Sequence, residues 1–452
     1  TRTPCETKMH RNARDEGEDT MNYTVMQFGE GNFIRSFFDW MLKRITDATG
    51  EEHKVFLVQP ISNGRVKEIV EAGEYHVLLK GFEAGEYKEV LESVPVIAGG
   101  VNPFERGGMK ALLDAALSPE LRVVTSNTTE AGIFFEEKME PHNFPSLLAA
   151  VLRARAKEGA PPLHILPLEL IESNGTALKK CVEQYGRLWG CEPVFFSYLD
   201  SCTFYDTLVD RIVPGFPAKD APEIFRRLGK EDHNLAMGEL FHLFVIQGDK
   251  AILDVLPFHK AGLNVIVTAD KLPFYRDRKV RILNGVHTAS VPVGLLAGVE
   301  LVKDFVKDER FAPMLRRLVH DEIVPAFSDD QEAHRYGDDV LERFSNPALE
   351  HAFRSIALNS VAKSNTRLRP TLEGYFEKFG ELPQTLVECI AAMFSFYDCD
   401  GVRELPKGPF VLADFPRIKG RTVSKMVDSF FPGLDLPLRE ALIRKLEYAR
   451  KQ

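Results

Sequence analysis

The sequence predicts a wound, mainly parallel α/β sheet domain followed by a mainly α-helical one, and three observations carry that expectation. From Met21 to about Ala269, short β-rich runs alternate with helical stretches, the rhythm of strands joined by crossover helices. From Leu283 onward the β-rich runs stop and helical periodicity takes over. At 452 residues the chain also exceeds what one hydrophobic core usually holds. The division read from these patterns is 1–20, a charged mobile tail nearly devoid of large apolar side chains; 21–270, a dinucleotide-sized sheet domain; and 271–452, the helical domain.

The sheet domain opens with a buried strand, Tyr23–Phe28, then Gly29-Glu-Gly31-Asn32-Phe33, then a helical run from Ile34 to Ile45. Strand, glycine turn and helix in that order form a Rossmann-like phosphate cradle. Gly29 permits the tight turn, Gly31 lets the backbone approach a pyrophosphate, and the helix N-terminus offers unpaired N–H groups. Ile34 stands where a third glycine is usual, so the pattern alone equally describes a turn that holds no nucleotide. Arg35 is placed to meet a phosphate or to lie on the helix surface.

The next strand, Lys54–Gln59, ends where an acidic residue normally accepts from the adenosine ribose, yet the chain offers Gln59-Pro60. Arg65 and Lys67 follow, so charge does not decide between NAD and NADP. Tyr75–Phe82 and Lys88–Ile97 form a hairpin about Glu83-Ala-Gly85. Leu121–Thr125 is a buried strand running into Ser126-Asn-Thr-Thr129-Glu130-Ala-Gly132, either a ligand loop at the carboxyl end of the sheet or a plain helix cap. A strand at Leu163–Leu168 and a helix at Ala177–Trp189 complete the alternation. The helical domain is expected at Phe305–Ile323, Leu349–Val361, Leu386–Phe396 and Leu438–Tyr448.

The densest chemistry lies at the junction, in Lys279-Val-Arg-Ile-Leu-Asn284-Gly-Val-His287. On an α-helix, with Lys279 at 0°, His287 falls at about 80° and Asn284 at about 140°, all on the apolar side; Arg278, Arg281 and Gly285 fall opposite. A buried lysine loses basicity and becomes a usable proton donor and acceptor. The alternative is a snorkelling lysine with a satisfied core amide and a space-filling histidine.

Phe28–Phe37, Thr125–Gly132, Leu208–Val213 and Lys279–His287 together resemble, in that order, the signatures of the polyol-specific long-chain dehydrogenases, the mannitol dehydrogenase family. Where the mannitol and fructuronate branches carry His-Arg-Ala-His after the turn, this chain reads Ile34-Arg-Ser-Phe37; that departure and Leu243–Gly248 resemble the branch acting on tagaturonate. The resemblance implies NAD and metal-independent reduction of tagaturonate to altronate in hexuronate catabolism. It places cofactor contacts at Gly29, Gly31, Asn32, Phe33, Thr129, Glu130 and Asp210. Lys279 becomes the general acid and base, Asn284 and Asn174 donors to the developing oxyanion, and His287 the residue that holds the substrate oxygen or the lysine. Asp210 can instead pair with Lys279, bind a hydroxyl, or serve as a structural partner of Arg211. A uronate carboxylate requires a cation, for which Arg276, Lys363 and Arg367 are candidates; each is alternatively a solvated surface charge. A mannitol/fructose polyol dehydrogenase and a nucleotide-binding sensor without turnover are the other functions weighed.

Composition agrees. A net charge of −9 with no strong basic cluster argues against nucleic acid. Six cysteines without C-x-x-C spacing suit reduced thiols, and neither a run of about 20 apolar residues nor a signal-peptide core is present. The expectation is a cytoplasmic enzyme with a small-molecule substrate, no membrane or metal, and a monomeric or small homo-oligomeric state.

Overall fold

The computed structural model describes residues 23–129, 131–328, 330–397, 403–405, 408–410 and 420–450. The expected tail, 1–20, and Glu130 lie outside the described residues. Strands β1 (Val25–Phe28), β2 (Val55–Val58), β5 (Ile97–Val101), β6 (Val123–Ser126), β7 (His164–Pro167) and β8 (Thr203–Phe204) form one parallel sheet in the order β5-β2-β1-β6-β7-β8. Val25 aligns with Val55 on one side and Val123 on the other. Because side chains alternate across a strand, Val25, Leu57 and Val123 enter one core while Met26, Phe28, Val58 and Val124 enter another. Both faces are covered, which is why these strands read as unbroken apolar runs.

The hairpin forms as β3 (Tyr75–Glu83) and β4 (Glu86–Val94), turning at Ala84 and Gly85, both at positive φ. Two details differ from the expectation. Ile97 opens β5 of the main sheet, and the hairpin joins a separate three-stranded sheet with β10 (Ala236–Glu239). A further sheet, β12-β11-β9, combines β9 (Asp206–Asp210), β11 (Leu243–Gln247) and β12 (Val265–Thr268), with Asp210 opposite Leu243. Asp210 and Glu239 thus end strands of two different sheets, brought near each other by the Glu239 amide donating to the Ile212 carbonyl at 2.9 Å.

That domain is built on one apolar core of helices, including Gln384–Tyr397 and Leu436–Ala449 near their expected positions. The helix expected over Leu349–Val361 is instead two, Phe353–Ile356 and Ser360–Arg367. Between them Asn359 sits at φ 61°, a left-handed conformation that breaks the first and starts the second. A short hairpin, Arg403–Leu405 with Gly408–Phe410, interrupts a region read as wholly helical. Among the described residues no helix is long and apolar enough to cross a membrane.

Candidate active site

The glycine turn follows β1 directly. Gly29 lies at φ +111°, and a Cβ on it would come within 2.7 Å of the Asn127 carbonyl oxygen, so no other residue fits without displacing β6. A Cβ on Gly31 would meet nothing within 4 Å. Open space above a bare backbone at a helix start is what a pyrophosphate requires. The helix then runs through residues 32–49 with a π-helical stretch at Arg35–Asp39, and Ile34 fills the core where the third glycine would stand. Phe33 stacks on Phe37, their rings 5.0 Å apart.

Arg35 takes neither of its expected places. It is buried, donating to the Asn32 side-chain oxygen at 2.7 Å, the Glu30 carbonyl at 3.0 Å and the Asn234 carbonyl, with its guanidinium over the Tyr75 ring. Its work is to brace the turn from behind. At the end of β6, Thr129 is exposed at φ 82°. The helix-cap alternative for this loop does not apply, since the next helix begins only at Phe144, capped by Asn143. The loop is fastened by Glu169, whose carboxylate accepts from Ser126 Oγ at 2.9 Å and from both the amide and hydroxyl of Thr128 at 2.8 Å.

The helix carrying Lys279 differs in register from the α-helix assumed from periodicity. Leu272–Arg278 is α, Lys279–Asn284 is π, and α geometry resumes at Gly285–Leu296. A π segment accommodates an additional residue in the turn and is frequent at functional sites. Arg278 and Gly285, expected on the solvated face, are buried. Arg278 lies between the rings of Tyr275 and Tyr336, at 4.8 and 4.2 Å, and pairs with Glu332 at 2.9 Å. Gly285 faces the Arg367 backbone, whose carbonyl oxygen would lie 3.3 Å from a Cβ.

Lys279 retains 15% side-chain exposure, donates from Nζ to the Val209 carbonyl at 2.8 Å, and stands 3.9 Å from Asp210 Oδ1. Burial lowers its pKa; Asp210 opposes the shift and Arg343 adds to it, so the net direction is downward. His287 is buried, its ring stacked on Phe344 at 4.0 Å, and its Nε2 has no hydrogen-bond partner among the described residues. Burial, reinforced by His351, Arg367, Arg343 and Lys363, holds this imidazole neutral, well below its ordinary pKa. Lys363 donates to the Ile356 carbonyl at 2.8 Å, and Arg367 reaches Thr288 Oγ1 at 3.4 Å. Lys279, His287, Lys363 and Arg367 therefore share one electrostatic neighbourhood. Asn284 is part-buried within the same π segment.

Three expected site residues stand elsewhere or in other roles. The Asn174 amide nitrogen is within hydrogen-bonding distance of the Pro167 and Glu169 carbonyls, both at 3.0 Å, and of Thr207 Oγ1 at 3.0 Å, while its oxygen accepts from the amides of Gly175 and Thr207. Its donors are used inside the sheet domain, which corrects its assignment to an oxyanion. Asp210 is not left open to a cofactor either: Arg343 binds both carboxylate oxygens, at 2.8 and 3.0 Å, and Tyr336 donates to Oδ2 at 2.7 Å. Arg211 is not its partner, since that guanidinium bonds to the carbonyls of Ser36, Leu240 and Phe241 and lies over Trp40. Arg276 pairs with Glu172 at 3.0 Å.

The sequence reading placed Asp210 beside Lys279, at 3.9 Å in the structure, but missed the Arg343 and Glu239 that complete the ion cluster behind the lysine. Arg343 bridges Asp210 and Glu239, reaching the latter at 2.7 and 3.0 Å, and all three are buried. Burial works against the Asp210 charge, but Arg343, Lys279 and the Tyr336 hydrogen bond outweigh it and hold the carboxyl at about 2. For Glu239, burial dominates and its pKa is raised.

A Rossmann-like sheet facing a helical domain across a lysine-bearing helix matches known families. Residues 23–257 match the mannitol dehydrogenase Rossmann domain and residues 271–404 the mannitol dehydrogenase C-terminal domain. The chain belongs to the mannitol dehydrogenase family. Among curated relatives, it is 39% identical over 402 residues to an altronate oxidoreductase of Halalkalibacterium halodurans, covering 86% of this chain and 77% of that protein. It is also 39% identical over 405 residues to the altronate oxidoreductase of Bacillus subtilis, covering 87% and 83%. The fold is shared with a D-sorbitol dehydrogenase in substrate-free form, at TM-score 0.80 and 20% identity over 96% of this chain and 94% of that one. It is likewise shared with a mannitol 2-dehydrogenase of Pseudomonas fluorescens, solved with NAD and D-mannitol, at TM-score 0.70 and 18% identity over 95% and 92%.

Proposed function

We propose that this mannitol dehydrogenase family member is an NAD-dependent oxidoreductase interconverting tagaturonate and altronate. The observation that carries the substrate is the similarity to altronate oxidoreductases at 39% identity over most of the chain. The gathering of Lys363 and Arg367 around His287 agrees with it, because a uronate brings a carboxylate that a hexitol lacks. The bare turn at Gly29 and Gly31, opening onto the helix start at Asn32, fits a dinucleotide pyrophosphate.

Bound nicotinamide would supply the hydride in reduction and take it back in oxidation. The protein's share is to manage the oxygen. Lys279 Nζ delivers the proton to the substrate oxygen as negative charge develops there and removes it in the reverse direction; burial lowers its pKa, which eases release of that proton. The Asn284 amide donates to the same oxygen. His287 Nε2, buried and unpartnered among the described residues, holds a neighbouring hydroxyl. Lys363 and Arg367 receive the carboxylate, whereas Arg276 is already neutralised by Glu172.

NADH consumption measured across tagaturonate, fructuronate, fructose and tagatose tests this reading; a wild-type preference for fructose would move the chain to the polyol branch. Lys363→Met is expected to lower kcat/KM for tagaturonate by about 10- to 150-fold, the worth of one charge-assisted contact, while sparing residual activity on neutral ketoses. Arg276→Met should fall well short of that. Equal losses on charged and neutral substrates would show that Lys363 does not read the carboxylate.

A further inference from the structure

The acid that normally accepts from the adenosine ribose at the end of β2 is missing, because Gln59 stands there and donates its amide to the Ile61 carbonyl at 2.9 Å. A carboxylate nevertheless lies beside Gln59. Glu30, the middle residue of the glycine turn, extends toward the loop that follows β2, and its Oε1 accepts the Arg65 backbone N–H at 3.1 Å. Gly64 shows how close the approach is: a Cβ there would lie 2.3 Å from Glu30 Oε1 and 2.7 Å from Gln59 Cδ. The Glu30 and Gln59 side chains therefore meet beside Gly64.

We propose that Glu30 supplies from the turn itself the carboxylate that recognises the adenosine ribose hydroxyls and excludes a 2′-phosphate. This rests on the reading of the chain as a dinucleotide-dependent enzyme. Two features support the division of labour. Arg65, the nearest cation to follow β2, has its guanidinium engaged by Glu68 at 2.9 Å, the Asn234 side chain at 2.9 Å and the His233 carbonyl at 3.1 Å. Lys67 is exposed on the next helical turn and faces Glu71 at 3.9 Å. With both cations already partnered, Glu30 is the charge beside Gln59 that a 2′-phosphate placed there would meet, and like charges brought close repel.

The test is binding of NADH and NADPH, each titrated calorimetrically without substrate, for the wild type, Glu30→Gln and Glu30→Ala. The glutamine variant can still accept the Arg65 N–H, so the loop stays fastened while the charge is lost. Wild type should favour NADH, and in both variants the NADH-to-NADPH affinity ratio should fall by about 10-fold or more, the lower end of what one charged hydrogen bond is worth. A ratio unchanged within about twofold, or equal losses of both nucleotides, would overturn the role of Glu30 and make it a loop fastener. Failure of the wild type to bind either nucleotide, or its preference for NADPH, would instead overturn the NAD reading on which the proposal rests. If one variant does not fold, the other carries the comparison.

Discussion

Lys279→Met is expected to reduce kcat by three to four orders of magnitude while leaving NADH affinity within about twofold. General acid–base groups contribute roughly 10²–10⁴-fold, and in the proposed mechanism this ammonium also faces the developing oxyanion, so the upper end is expected. The fold should survive the change. Asp210, the only carboxylate within 4 Å of the lysine among the described residues, keeps both Arg343 contacts and the Tyr336 bond. The direction of pH dependence follows from the lowered lysine pKa: reduction needs the ammonium, so its rate falls as pH rises through that pKa, and oxidation needs the free amine and gains over the same interval. Retention of more than about a tenth of wild-type kcat would make Lys279 a structural residue.

Arg343→Met should cost about 3–5 kcal/mol of stability, because it leaves Asp210 and Glu239 buried, close together and without their shared cation. The loss has a pH signature. Asp210 titrates at about 2 in the folded protein against an ordinary 3.8, so its contribution is complete above the ordinary value and disappears as pH falls toward 2. In Arg343→Met that acid-sensitive portion should shrink. Urea unfolding of both proteins between pH 7 and pH 3 measures it; parallel curves displaced by a constant amount would assign the loss to packing against Phe241, whose ring lies 4.0 Å below the guanidinium, and not to charge.

The same cluster marks where sequence reading stops. β1, the glycine turn and the lysine helix were legible because each is local: apolar runs, a glycine spacing and polar residues at helical intervals lie within about a dozen positions. Arg343 lies 133 positions from Asp210 and 104 from Glu239, and nothing in its helix distinguishes it from an exposed arginine. Glu169 is hidden in the same way, as its partners Ser126 and Thr128 belong to another strand end. Asn174 erred in the opposite direction. An amide in a polar loop looks available, and only the fold reveals acceptors on Pro167, Glu169 and Thr207 already at its nitrogen. The burial of Gly285 was misread because a 100° step per residue assumes α geometry, which fails where the helix widens before it, and that of Arg278 because its partners Tyr336 and Glu332 come from a distant helix.

That widening bears on how the active site tolerates changes in chain length. Within a helix, an added residue can be absorbed as a π segment, and removing one from such a segment can restore ordinary α geometry. Deletion of Val280 is thus expected to leave helical content and unfolding cooperativity almost unaltered, since the turn closes with regular hydrogen bonds. It would nonetheless rotate Asn284 and His287 relative to Lys279 by about one residue's step, about 100°. A shortened chain of this kind would keep its architecture and lose its catalytic alignment. In this helix, residue count, more than side-chain identity alone, keeps the proposed proton donor in phase with the groups proposed to hold the substrate.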